Sequence, residues 1–215
     1  MTGDLFAGLA TPSAEPLAEG VVLLRGFVLA EAPALLAAID RISQAAPFRH
    51  LVTPGGFRMS VAMTNCGAVG WVSDRRGYRY DPLDPETGRR WPEMPPPFRA
   101  LAARAAEAAG FPGFAPEACL VNRYEPGARL TLHQDRDEGN LAHPIVSVSL
   151  GVPATFLFGG LERRDRPRRI RVEHGDVAVW GGPSRLAFHG VDTLKAGEHP
   201  MTGDRRYNLT FRRAL

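Results

Sequence analysis

His133-Gln134-Asp135 places an imidazole and a carboxylate two positions apart. On an extended strand such residues point to the same face, about 7 Å apart along the backbone, so both can converge on one metal ion while Gln134 points away. His189, at the end of the strand-like run RLAFH, is the best third ligand. Two imidazoles and a carboxylate on one side of an ion leave other positions open for O2 and a co-substrate, the arrangement of non-haem Fe(II) oxygenases. A His-x-Asp tripeptide is weak evidence until its surroundings support it. The same pattern recurs at His174-Gly175-Asp176, where the glycine reads as a turn into DVAVW and the side chains are not held to one face. His50, His143 and His199 have no acidic partner at useful spacing and read as ordinary surface or loop histidines.

From Ala118 onward the chain breaks into brief strand-like runs: ACLVNRY, ARLTLHQD, IVSVSLGV, ATFLFG, RIRVE, DVAVWGG, RLAFHGV and RYNLTFRR. Each is bounded by Gly, Pro or Asp, and several alternate apolar with polar, the rhythm of a jelly roll. In that architecture strands distant in sequence face one another, which lets His189 meet His133 and Asp135. Arg206 and Arg212, six apart on one strand, share a face and could meet an anionic co-substrate inside the barrel. Asn122 and Tyr124, two apart on ACLVNRY, would add neutral hydrogen bonds to the same ligand.

Two helices are expected ahead of these strands. EAPALLAAIDRISQAA, residues 31–46, carries Leu35, Leu36, Ile39 and Ile42 on one stripe, and FRALAARAAEAA, residues 98–109, is Ala-rich and should end at Gly110. Both should pack against a sheet from outside. The intervening residues 48–97 are rich in Gly, Pro and aromatics and read as short strands and mobile loops that present Trp71, Tyr78 and Tyr80.

At 215 residues, 44% hydrophobic and 23% charged, the chain has the size and composition of one globular domain, not of a disordered or membrane-inserted protein. The start of the chain lacks the basic and apolar segments of a secretory signal, so a cytoplasmic protein is expected. Cys66 and Cys119 are too few for a disulfide framework and read as reduced, buried small hydrophobes. Net charge is only +3, but residues 162–171, ERRDRPRRIR, hold six Arg against two acids, either a solvated loop or a phosphate-contacting surface.

Together these motifs resemble the AlkB-type Fe(II)/2-oxoglutarate-dependent dioxygenases, direct-reversal repair enzymes for alkylated nucleic-acid bases. The resemblance runs from LFA near the start through LVTPGGFRMSVAMTNCG, GWVSDRRGYRY, CLVNRYEPGARLTLHQDRDE, PIVSVSLG, FLFGG, HGDVAVWGG, SRLAFHG and RYNLTFR. It implies a mainly β fold with flanking helices (α+β), a double-stranded β-helix or cupin-like jelly roll. Within a single domain, residues 1–47 would form an N-terminal extension and helix, 48–97 a nucleotide-recognition lid, 98–117 a supporting helix and 118–215 the catalytic core.

The resemblance also implies roles. His133, Asp135 and His189 match the iron ligands. Arg206 matches the partner of the distal carboxylate of 2-oxoglutarate and Arg212 a residue near its chelating end, with Asn122, Arg123, Tyr124 and Asn208 as further co-substrate contacts. Trp71 matches an aromatic that stacks on the damaged base, with His133 on the opposite face and Asp137 as the acid beside it. Tyr78, Arg79, Tyr80 and Arg163 match nucleotide contacts, and Thr53 and Met63 the mobile segment covering the base. The implied reaction is oxidative demethylation of N1-methyladenine and N3-methylcytosine in single- or double-stranded DNA, with RNA as a further candidate, by a monomer using Fe(II), O2 and 2-oxoglutarate. Formaldehyde, succinate and CO2 are the products. Two other readings stay open on the residues alone: a hydroxylase of a protein or metabolite with the same iron chemistry, and a non-catalytic single-strand-binding module.

Overall fold

The computed structural model describes residues 13–215, so LFA and the rest of the first twelve residues lie outside it. Thirteen strands and two α-helices follow in the order β1 Ser13–Ala18, β2 Val21–Arg25, α1 Ala32–Ala45, β3 Ala62–Gly67, β4 Gly70–Asp74, β5 Gly77–Asp81, α2 Pro96–Ala108, β6 Ala118–Tyr124, β7 Leu130–His133, β8 Ile145–Gly151, β9 Ala154–Phe158, β10 Arg168–Val172, β11 Val177–Trp180, β12 His189–Val191 and β13 Arg206–Arg212. A seven-stranded sheet, β1-β2-β11-β8-β13-β6-β3, faces a four-stranded sheet, β10-β9-β12-β7, with β4-β5 as a separate hairpin. All neighbouring strands run antiparallel.

Period-two alternation explains the layering. On β13, Leu209 and Phe211 enter a core shared with the helices, while Arg206, Asn208, Thr210 and Arg212 line the space between the sheets. On β6, Cys119 and Val121 join the helix-side core and Leu120, Asn122 and Tyr124 line the cavity. The outer core is capped by Leu35, Ile39 and Ile42 of α1 and by Phe98 and Leu101 of α2, so the helices cover the outside of the large sheet. Prolines occupy the first turn of both helices, where no intrahelical N–H is lost. After α2, Gly110 adopts φ +88°, the left-handed turn that ends the helix. A second core between the sheets contains Phe156, Phe158, Ile170, Trp180 and Val191.

Two segments differ from the sequence reading. β1 and β2, inside the expected N-terminal extension, form one side of the large sheet, β2 pairing with β11. Within the expected lid, β3 forms the opposite edge by pairing with β6. Met63 on β3 sits opposite Asn122 and is buried, a sheet residue and not part of a mobile cover. Cys66 faces Cys119 on the same strand pair, both buried and free. Pairing partners this far apart leave no local signal, which is why local periodicity does not place these strands in the large sheet.

Candidate active site

His133 closes β7 and His189 opens β12, and the two stand directly opposite in the strand pairing. Their rings lie 4.4 Å apart between centroids. Asp135 follows just beyond β7, with Oδ1 3.5 Å from His133 Nε2 and Oδ2 3.7 Å from His189 Nε2. Gln134 turns aside and its amide donates to the Leu186 carbonyl, 2.7 Å away. Each imidazole is oriented by Nδ1 donating to a backbone carbonyl, His133 to Thr131 at 2.9 Å and His189 to Ala187 at 3.0 Å. That leaves both Nε2 atoms as free lone pairs, the outer-sphere arrangement that fixes a metal-binding tautomer. Among the described residues these three form a cluster of potential ligand atoms within 4.8 Å of one another.

Electrostatics keep the ligands in metal-ready states. Burial, reinforced by His133, pushes the His189 imidazole down to about 3, so it is neutral at working pH. Burial would raise the Asp135 carboxyl, but Arg212 and the two histidines outweigh it and hold it well below the usual range. Arg212 donates to Asp135 Oδ2 from Nε at 2.8 Å and Nη2 at 2.5 Å, so it serves the metal ligand directly.

The other end of the cavity is built for an anion. Arg206 is 2% exposed, and only its Nη2 has a partner, Ser149 Oγ at 3.0 Å. Nε and Nη1 are buried without acceptors, as are the Tyr124 hydroxyl and Asn122 Oδ1. The Tyr124 ring lies 5.0 Å from the guanidinium carbon. Burial disfavours the Arg206 charge and lowers its pKa, and burial pushes the Tyr124 phenol up to about 12. A guanidinium left this way is costly unless a ligand neutralises it. The three-ligand cluster and these orphaned donors therefore fit a divalent ion chelated by a dicarboxylate. Asn208 is largely spent within the fold, bonding Ser147, Val148 and Asn122 and accepting from Thr210.

Some sequence-assigned residues do not reach this cavity. Arg123 falls on the opposite face of β6 from Asn122 and Tyr124, over the Phe48 ring and beside Glu125. The strand alternation already excludes it as a co-substrate contact. Arg79 is held within its hairpin by Asp74 and Asp81. Tyr80 turns inward and donates to Glu138 Oε1 at 2.8 Å, where burial pushes its phenol well above 10. It is absent from the cavity lining, as is Arg79. At the rival tripeptide, Asp176 accepts from Gly26 and Glu173 amides and pairs with Arg25, and His174 stacks on His199 at 4.2 Å. That acid clasps loops together and, among the described residues, lies outside the ligand cluster.

The cavity, about 890 Å³, is lined on the side of the hairpin by Trp71, Tyr78 and Thr53, with Met63 deeper in its wall. Trp71 Nε1 donates to Asp137 Oδ2 at 2.9 Å, so an aromatic plane and a carboxylate form one unit. Tyr78 stacks on Trp71 at 5.6 Å and 12°. Arg58, Arg129, Arg136 and Arg163 also line the opening, exposed and without an ion-pair partner among the described residues. Sequence reading assigns a nucleotide contact to Arg163 and notes Arg136 between two acids; Arg58 and Arg129 stand alone in different loops, and the four converge only in the fold.

The model of the 2OG-Fe(II) oxygenase superfamily matches residues 20–212. The chain is 59% identical over 211 residues to the alpha-ketoglutarate-dependent dioxygenase AlkB of Escherichia coli, covering 98% of this chain and 97% of that protein. The chain belongs to the AlkB-type Fe(II)/2-oxoglutarate-dependent dioxygenases. It is 48% identical over 182 residues to the AlkB homologue of Caulobacter vibrioides strain CB15N, covering 84% and 81% of the two chains. It is 36% identical over 121 residues to the mouse nucleic acid dioxygenase ALKBH1, over 56% of this chain and 31% of that one. The solved structure of OsALKBH1 superposes with a TM-score of 0.84 at 29% identity, over 94% of this chain and all of that one. As an AlkB-type enzyme the chain uses Fe(II), 2-oxoglutarate and O2, and the ligand cluster and the Arg206 end are where its own residues fit them. No helix of the described residues is long and apolar enough to cross a membrane.

Proposed function

We propose that this dioxygenase reverses alkylation damage in nucleic acid, oxidatively demethylating N1-methyladenine and N3-methylcytosine in DNA, as a monomer in the cytoplasm. The observation that carries the substrate reading is the mouth of the cavity: a Trp71–Asp137 unit set among four arginines that no carboxylate of the described residues neutralises. Unpaired guanidiniums around an opening suit the phosphates of a polynucleotide, which position it without reading its sequence. The names of the relatives, dioxygenases of nucleic acid among them, support the same class of substrate. The site is complete within one chain, which favours a monomer.

His133, Asp135 and His189 would hold the iron, and Arg206 with Tyr124 and Asn122 would hold the distal end of 2-oxoglutarate. Bound there, the iron and co-substrate supply O2-driven oxidative decarboxylation coupled to hydroxylation of an N-methyl carbon, after which formaldehyde leaves and succinate and CO2 remain. The protein contributes placement and charge. The face of Trp71 not covered by Tyr78 offers a stacking surface, and Asp137 sets a negative charge at the ring edge. Both methylated bases are cationic, and cation–π attraction of about 0.5 to 2 kcal/mol adds to that charge. A methyl group on the pairing edge also loosens the base, lowering the usual cost of extrusion, a few kcal/mol. Formaldehyde release from oligonucleotides carrying one defined lesion each, with and without 2-oxoglutarate, tests the proposal. Turnover highest on N1-methyladenine and N3-methylcytosine is expected; none on any methylated oligonucleotide would overturn it.

A further inference from the structure

Glu138 lies three residues beyond the metal ligand Asp135, yet its side chain is 1% exposed and takes no part in lining the cavity. It sits between two buried arginines, with Oε1 3.3 Å from Arg212 Nε and Oε2 3.2 Å from Arg185 Nη2. Tyr80 donates to Oε1 from the other side. Each arginine also grips Asp135: Arg212 holds Oδ2 of the carboxylate, and Arg185 Nη1 donates to the main-chain carbonyl at 2.7 Å. Arg185 Nε is tied in turn to the His143 carbonyl at 2.9 Å. One carboxylate thus joins the two cations that hold the metal ligand at two separate points.

We propose that Glu138 is a positioning residue for the metal centre, acting with Arg185 and Tyr80 to keep Arg212 on Oδ2 of Asp135 and leave Oδ1 for the ion. Two carboxylates and two guanidiniums balance within this buried group. Removing the charge of Glu138 leaves two buried cations facing one carboxylate. Arg212 then draws more strongly on Asp135, and the surplus positive charge repels a divalent ion close by. Both effects weaken metal binding. The group also accounts for Tyr80, whose hydroxyl is occupied by Glu138 and not turned toward a nucleotide.

The inference rests on the iron-site reading, and Mn(II) titration of metal-stripped protein with 2-oxoglutarate, followed by the electron paramagnetic resonance of free Mn(II), separates the two. Wild type that binds no Mn(II) overturns the metal site and the clasp with it. Glu138→Gln keeps the shape and loses the charge; about 10- to 100-fold weaker Mn(II) binding by the folded variant is expected, the usual range for outer-sphere changes. Tyr80→Phe keeps every charge and should weaken Mn(II) binding about 3-fold, on the scale of one hydrogen bond. Thermal melting of the metal-free proteins identifies the folded material. A Glu138→Gln protein with a lowered melting temperature but Mn(II) affinity within twofold of wild type assigns Glu138 to stability alone and overturns the proposal. If Glu138→Gln does not fold, unchanged Mn(II) affinity in Tyr80→Phe overturns it.

Discussion

The two ends of the cavity are made differently. At the closed end, His133, Asp135, His189, Arg206 and Arg212 come from paired strands or the segment just beyond one, all but His133 are buried, and their orientations are set by backbone carbonyls, by Ser149 or by one another. At the mouth, Trp71 and Tyr78 come from a separate two-stranded hairpin and Arg58, Arg129, Arg136 and Arg163 from loops, exposed and unpaired. A redox centre needs its ligands within tenths of an ångström, and paired strands provide that. A polymer substrate needs charge and room to adapt, and a hairpin with loops provides those. Changes at the closed end should therefore be severe and specific to metal or co-substrate, and changes at the mouth graded and dependent on salt.

The largest effect is expected from Asp135→Ala, which removes the carboxylate between the two imidazoles: formaldehyde release should fall to background, and Mn(II) titration should show that the metal no longer binds. Near-normal turnover would erase the contrast between the two ends. Arg206→Ala should raise the 2-oxoglutarate KM by roughly 10- to 100-fold, in line with the removal of charge-assisted hydrogen bonds of about 1.5–3 kcal/mol, with oligonucleotide KM little changed. A drop in kcat with constant 2-oxoglutarate KM would place the anchor elsewhere. At the mouth, Asp137→Ala should reduce the preference for cationic over neutral lesions about 5-fold, as expected for a partly exposed charge interaction near 1 kcal/mol. Unchanged lesion ranking would show that Asp137 only holds the Trp71 ring. Smallest, the Arg129→Ala/Arg136→Ala pair should weaken all oligonucleotides alike, with the log–log salt slope falling by about 2, roughly one for each phosphate no longer neutralised. An effect limited to one base would mean these arginines read the lesion and not the backbone.

The same division marks what could be read ahead of the structure. The closed end was legible because its chemistry lies in residue type and strand alternation: His133 and His189 sit at the ends of recognisable strands with Asp135 just beyond one, and Arg206 and the Asn122–Tyr124 pair follow from period two. Applied consistently, that period also removes Arg123, which alternates onto the helix-facing side of β6. The interior strand β2 and the edge strand β3 were harder to place, since their partners β11 and β6 lie far along the chain. At the mouth, Arg58, Arg129 and Arg136 carry no signal of convergence, because loops have no periodicity to project.

The residues themselves determined the chemistry available here: two imidazoles and a carboxylate for a metal, arginines on an alternating strand for an anion, and an aromatic with an acid for a cationic base. Tertiary structure decided how the charges were shared. Nothing in Arg136-Asp137-Glu138 distinguishes an acid exposed beside Trp71 from one buried between Arg185 and Arg212, nor Arg212 held by Asp135 from Arg206 left without a carboxylate. Ligand chemistry is a property of the side chain. Charge pairing depends on distance and burial, and those were set by strands and loops that meet only when the two sheets close.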